Sequence, residues 1–313
     1  MASSTLETPA TDTRHGRPRR KTRVSAGYVV GWIVLAIILI VSLFPFWWMV
    51  KVAVTHNANM YGDFGFWPKV STVVNFKRVL GLATPAEQQA EVPNQIQHLD
   101  FFLNLMNSVI FTAVVALVTV ASSALAAYAF SRMRWRGRDL VFNVFLCGLM
   151  IPPIFGVLPN FLLMKQLGWV YSWPGLLAPY LLACPFGMFF LRQFFLSIPE
   201  EVEEAARLDG LGHWGIFRRI CLPMSIAPIC TLLLIQAVFA WNEYLWPQLI
   251  THGQHAQVLT VALASFVQNS PGVAKDWTGF MAAATLTVLP LVILMLAFGR
   301  TLVSNLQLGT SGK

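Results

Sequence analysis

Six stretches of this chain, at about 28–50, 104–130, 140–164, 172–195, 225–250 and 280–299, are apolar almost throughout. A hydrocarbon core about 30 Å thick is crossed by about 20 helical residues rising about 1.5 Å each. Each stretch is therefore long enough to span a membrane, and the pattern predicts an all-α membrane protein of six transmembrane helices. Composition agrees: 56% of residues are hydrophobic and only 12% charged, with a mean hydropathy of +0.60. A soluble domain carries about a quarter charged residues. The third and fourth stretches contain Pro152, Pro153, Pro159, Pro174, Pro179 and Pro185, which predicts bent helices.

The net charge of +8 is not that of a nucleic-acid binder, because the basic residues sit in short segments between the apolar runs. Placed alternately, the loops divide sixteen Lys and Arg on one side, including both termini, from six on the other (Lys51, Lys69, Lys77, Arg78, Lys165 and Lys275). Positive residues favour the inside. Both termini are therefore expected on the cytoplasmic side. Residues 1–27 read as a basic disordered tail and 28–308 as the membrane domain. Residues 309–313 form a short cytoplasmic tail. The first apolar run is too long for a signal-peptide core and reads as a retained anchor. Residues 51–100 form the one long outside loop, with 84–98 expected to be a flexible insertion. Trp47, Trp48, Trp67, Trp241 and Trp246 are placed as interfacial aromatics.

Cys147, Cys184, Cys221 and Cys230 lack any C-x-x-C spacing and read as small hydrophobes, with no disulfide or metal site expected. His252 and His255 have a metal-like spacing but no accompanying ligand. They read as part of a polar loop.

One polar island stands among the apolar runs, at 197–223. Ser197, Pro199 and Glu200 read as a helix start, with Ser197 as the cap. Glu200, Glu201, Glu203 and Glu204 suit the positive end of a helix dipole, and Gly210 fits a C-cap. A second short helix is expected from His213 to Cys221, presenting Trp214 and Phe217 on an apolar side, with Pro223 ending it. This elbow suits docking against another protein. The competing reading, a helix lying on lipid headgroups, fits Arg218 and Arg219 but not the clustered glutamates. The run from Gly210 to Gly215 also matches G-x-G-x-x-G, but it follows a helix where a dinucleotide site needs a strand. The sequence contains no G-x-x-x-x-G-K-[ST] either.

Glu204-Ala205-Ala206, then Asp209-Gly210, then Ile220, Leu222 and Pro223 resemble the EAA loop of binding-protein-dependent ABC importer permeases. Met150 to Pro153, Leu191 to Phe194 and Trp241 to Pro247 resemble the sugar-importer branch, akin to the second maltose-transporter permease. The likeness runs from about residue 28 to 308. It implies a type I ABC importer permease fold with a cytoplasmic EAA coupling helix. It also implies a non-catalytic subunit for carbohydrate import. The expected partners are a second homologous permease, two ATP-binding cassette subunits holding the ATP and Mg, and an extracytoplasmic sugar-binding protein. No cofactor is expected in this chain. In that family the EAA elbow sits in a cleft of the ATPase, so Glu204 and Gly210, then Asp209, Ala205 and Ala206, are the expected coupling residues.

Within the apolar runs, Glu243 is the conspicuous ionisable residue, and such residues are costly there. Gln236 precedes it by seven positions and is expected on the same helical face. With Asn242 and Trp241 these residues could line a path for sugar hydroxyls. Alternatively, Glu243 lies at the interface and pairs with a partner subunit. The competing function is a gradient-driven secondary transporter, which usually needs midplane coupling groups and internal repeats. A membrane enzyme is the third reading, and no catalytic constellation stands out within the spans.

Overall fold

The computed structural model describes residues 26–62, 65–93, 99–251, 256–268 and 275–308. The tails expected at 1–27 (apart from its last two residues) and 309–313, residues 94–98 of the insertion and the His252 and His255 pair lie outside them. Among the described residues the architecture is helical, and the one β feature is an isolated bridge between Thr55 and Ser71.

The helices, in order, are α1 (Ala26–Ala53), α2 (Val74–Val79), α3 (Pro85–Glu91), α4 (Phe101–Arg132), α5 (Arg138–Cys147), α6 (Ile154–Gln166), α7 (Trp173–Leu177), α8 (Pro185–Leu196), α9 (Glu200–Leu208), α10 (His213–Ile216), α11 (Leu222–Met224), α12 (Ile226–Trp241), α13 (Leu245–Thr251), α14 (Leu259–Gln268) and α15 (Trp277–Leu308). By contacts the chain divides into two units, one ending at Trp47 and one beginning at Trp48. The first is an apolar helix whose large side chains from Tyr28 to Phe46 are exposed, as a helix facing lipid or another protein requires.

Three helices are long and apolar enough to cross a membrane unbroken: Gly27–Ala53, Phe101–Arg132 and Trp277–Phe298. Three more crossings exist only if bent pairs count as single spans. Arg138–Met150 and Ile154–Gln166 meet at 103°, Trp173–Tyr180 and Pro185–Leu196 at 44°, and His213–Met224 and Ile226–Trp241 at 78°. Proline explains the first two breaks. Ile151 and Cys184 each precede a proline and are pushed into extended conformation, at φ −87°, ψ 116° and φ −80°, ψ 139°. At the third, Pro228 has no N–H for the carbonyl of Met224, and the chain turns at Ser225 (φ −111°, ψ 20°). The expected single span over 225–250 is also corrected: α12 ends at Trp241 and α13 is a separate helix.

In the second unit α4 is the mast. Phe101 joins a cluster with Ala53, Val79, Leu263 and Ala282. Phe111 and Val115 join one with Met164, Leu176, Trp246 and Ile250. Val120, Ala124, Ala127 and Tyr128 join one with Leu191, Phe195, Ile216 and Leu232. One helix thus threads three successive cores. Without a hydrophobic drive between helices in lipid, small residues permit the close approach that holds them together. Ser123 and Ala127 of α4 are fully buried, and a Cβ on Gly187 of α8 would meet Ser123 Oγ at 2.8 Å and Leu232 of α12 at 3.2 Å.

The described parts of the loop between α1 and α4 are folded. The buried Asn75 donates to the carbonyls of Ala53 and Thr55, each at 2.9 Å. Arg78 of α2 pairs with Asp276, which in turn accepts from the N–H of Gly279 at the start of α15. The expected flexible insertion is helical at its start, because Thr84-Pro-Ala-Glu87 is a capping box: Thr84 Oγ1 accepts from the Glu87 N–H and the Glu87 carboxylate accepts from the Thr84 N–H. The Lys77 ammonium and the Thr84 N–H hold the exposed Glu87 carboxyl well below its usual range, at about 2.

Candidate functional site

The elbow forms from α9 and α10. Its entry differs from expectation. Pro199 occupies the N-cap of α9 and makes no side-chain cap, while Ser197 Oγ donates backward to the Phe194 carbonyl at 2.7 Å. The terminal carbonyls of α8 lack intrahelical donors, so Ser197 serves that helix instead. Glu200, Glu201 and Glu203 occupy the first turn of α9, where the dipole favours negative charge.

Gly210 closes α9 with a left-handed φ of +84°, and the N–H of Leu211 bonds the carbonyl of Ala206 at 3.0 Å. This is a glycine-terminated helix end in which a side chain would be strained. The chain then re-enters helix at His213. Pro223 cannot bond the carbonyl of Arg219, and the turn from Phe217 to Cys221 widens to π geometry.

The sequence-predicted residues divide by face. Glu204, Ala205, Asp209, Gly210 and Pro223 lie toward the outside and are all exposed, and Leu208 is 90% exposed. Ala206 is buried in the cluster around Phe195 and Phe217, with Ile220 and Leu222 packed against it. Of the two alanines expected to couple, only Ala205 faces outward, since a helix turning about 100° per residue carries Ala206 inward. Trp214, expected on the apolar side, is 64% exposed and leans on the buried Phe217 at a ring distance of 5.5 Å.

Two residues of this region carry chemistry that the sequence does not flag. Glu203 is 6% exposed, and Arg132, the last residue of α4, reaches its carboxylate at 3.0 Å. The same guanidinium donates to the carbonyls of Phe195 and Ile198. A cleft of about 710 Å³ opens beside this pair, lined by Arg134, Arg138, Glu200, Glu204, Arg207 and His213 among others. Its mixed charges suit a partner presenting both signs.

The second predicted group is not one stripe. Because α12 ends at Trp241, Gln236 and Glu243 do not share a helix. Gln236 donates to Cys184 Sγ at 3.2 Å, where that sulfur also receives the Gly187 N–H at 3.1 Å. Asn242 is exposed and folds back to the Val238 carbonyl at 2.8 Å. Glu243 accepts from the Trp246 N–H at 3.3 Å and so caps α13. Trp241 lines an apolar cavity of about 310 Å³ with Leu117, Leu234 and Pro290. Trp241 and Trp246 are buried, and the Trp246 indole donates to the Leu176 carbonyl at 3.2 Å. Both therefore face other helices of this chain and not lipid.

Several apolar spans and a polar, glycine-hinged elbow define a polytopic membrane protein with one exposed polar loop between its helices. Residues 119–307 match the family described as "Binding-protein-dependent transport system inner membrane component". The chain belongs to that family.

Over 288 residues it is 34% identical to the trehalose/maltose transport system permease protein MalG of Thermococcus litoralis, covering 90% of this chain and 94% of that one. It is 32% identical over 206 residues to the diacetylchitobiose uptake system permease protein NgcG of Streptomyces coelicolor, covering 66% and 68% of the two chains. Among solved structures, a bacterial ABC transporter involved in the import of the acidic polysaccharide alginate matches with a TM-score of 0.75 at 21% identity, over 91% of this chain and 99% of that one. That likeness concerns the fold, which is the type I importer permease fold.

Proposed function

We propose that this chain is the non-catalytic permease subunit of an ATP-driven importer for a di- or oligosaccharide or related sugar. In this reading it pairs with a second permease. Two ATPase subunits hold the ATP and Mg, and an extracytoplasmic binding protein delivers the solute. The α9–α10 elbow faces the cytoplasm, as do both termini. The substrate class follows from the relatives, whose names concern trehalose and maltose, diacetylchitobiose and alginate.

The observation that carries the coupling role is the exposed face formed by Glu204, Ala205, Asp209 and Gly210 at the tip of the elbow. The carboxylates of Glu204 and Asp209 beside the Ala205 methyl offer a partner cleft both charge and close approach. ATPase closure then moves the elbow, and the helices packed on α4 carry the motion to the pathway. In this reading Gln236 and Trp241 of α12 and Asn242 and Glu243 beyond its end contribute to the pathway from separate segments, not as one stripe.

A Glu204→Lys change tests the reading. The expected result is loss of ATPase co-purification in mild detergent and loss of uptake, with the chain still present in the membrane. Uptake by the lone chain in vesicles, driven by an ion gradient, would instead establish a secondary transporter.

A further inference from the structure

Of the nine residues of α9, only Glu203 and Ala206 are buried. The helix that would receive the motor's force is therefore held to the body of the protein by one inward methyl and one carboxylate. Ala206 offers a small apolar contact that two surfaces can slide across. The carboxylate is different. Its Oε1 lies 3.0 Å from Arg132 Nε, and the two side chains are 8% and 6% exposed.

Arg132 ends the 32-residue helix α4. Its guanidinium also donates to the carbonyls of Phe195 and Ile198, which close α8 and lead into α9. On the other side, Cys221 Sγ lies 3.9 Å from the same Glu203 oxygen, on the π turn that leads toward α12. A single buried ion pair thus touches the elbow, α4, the end of α8 and the approach to α12. Arg207 also approaches Glu203, at 3.9 Å, but is 52% exposed, so solvent screens that contact.

A buried ion pair is a poor way to gain stability, because desolvation offsets the attraction and an apolar pair of similar volume often does as well. What the planar guanidinium fork supplies is fixed geometry among several acceptors. We propose that Glu203 is the positioning residue that locks the elbow to the inner end of α4 through Arg132, so that elbow and span move as one body during the transport cycle. This rests on the coupling role proposed above. It assigns a distinct task to each of two adjacent glutamates: Glu204 meets the motor and Glu203 holds the lever to its rod.

The test uses the whole importer, purified with its ATPase and second permease in lipid nanodiscs, with ATP and vanadate as the probe. Spin labels are placed at Leu125→Cys on α4 and Leu208→Cys on α9, both exposed positions, with Cys147, Cys184 and Cys230 replaced by alanine. With Glu203 intact, the label distance should be narrow and the same with and without nucleotide. With Glu203→Gln it should broaden and shift when ATP and vanadate are added. A Glu203→Gln distribution that matches the intact one in both states overturns the proposal, as does a nucleotide-dependent shift with Glu203 intact. If Glu203→Gln does not accumulate in the membrane, Arg132→Lys, which keeps the charge and removes the fork, takes its place. The same broadening and shift then support the proposal, and a distribution unchanged from the intact one overturns it. Retention of the ATPase by Glu204→Lys would sink the docking reading instead, and that result is read by co-purification, without the labels.

Discussion

Gly187 is the residue at which α4, α8 and α12 leave the least room. A methyl there would lie 2.8 Å from Ser123 Oγ, 2.9 Å from Cys184 Sγ and 3.2 Å from Leu232 Cδ2. None of these is the free end of a long side chain, so the helices themselves must part. Gly187→Ala should destabilise the chain by about 1–3 kcal/mol, the usual cost of overpacking, read as a lower unfolding temperature in detergent by intrinsic fluorescence. An unchanged temperature would mean that the three helices are not in close contact. At this scale the sequence is legible where a pattern names the residue and mute where burial decides. The EAA pattern singles out Glu204, which is exposed. Glu203 looks equivalent on paper, and only the arrival of Arg132 from a distant helix end makes it a buried ion-pair partner. Gln236 and Glu243 fail for a related reason. Seven-residue spacing implies a shared face only while the helix continues, and Glu243 is spent capping α13.

Among the elements, the elbow is largely readable, because helix ends are written in local chemistry. The glutamate-rich first turn, the glycine that stops α9 and the proline that disturbs the next helix each act through backbone groups within a turn of themselves. Ser197 misleads, since its hydroxyl has two helix ends within reach and bonds the earlier one. The 103° bend within the third apolar stretch is foreshadowed by its prolines, but its size depends on packing that no local motif encodes. The angle of the elbow depends on Gly210 at φ +84°. A side chain in that region costs about 1–2 kcal/mol, and relief comes from opening the turn. Gly210→Val should therefore reorient α10 against α9 and reduce uptake while the chain still reaches the membrane. Gly210→Asn, which tolerates the left-handed region, should retain more uptake than Gly210→Val. Equal uptake by the two variants would show that the turn geometry does not matter to coupling.

For the whole molecule, the length of α4 sets the layout. Its 32 residues span about 48 Å at about 1.5 Å each, against a hydrocarbon core of about 30 Å. Several residues at each end must stand clear of the lipid tails unless the helix is strongly tilted. Two deeply buried Arg-carboxylate pairs among the described residues are placed accordingly. Arg78 and Asp276 flank the cluster that holds Phe101 at one end, and Arg132 meets Glu203 at the other. Charge is thus kept near the headgroup levels and shielded by protein, which avoids the cost of ions in hydrocarbon. This geometry makes a prediction about sidedness. Leu82, 68% exposed beside α2, and Leu208, 90% exposed on α9, should lie on opposite faces of the membrane. With each changed singly to cysteine, a membrane-impermeant maleimide should label Leu82→Cys in intact spheroplasts and Leu208→Cys only in inside-out vesicles. Labelling of both from one side would mean that α4 does not cross the bilayer. Labelling in the reversed order would keep the crossing but place the elbow outside, beyond the reach of any cytoplasmic ATPase.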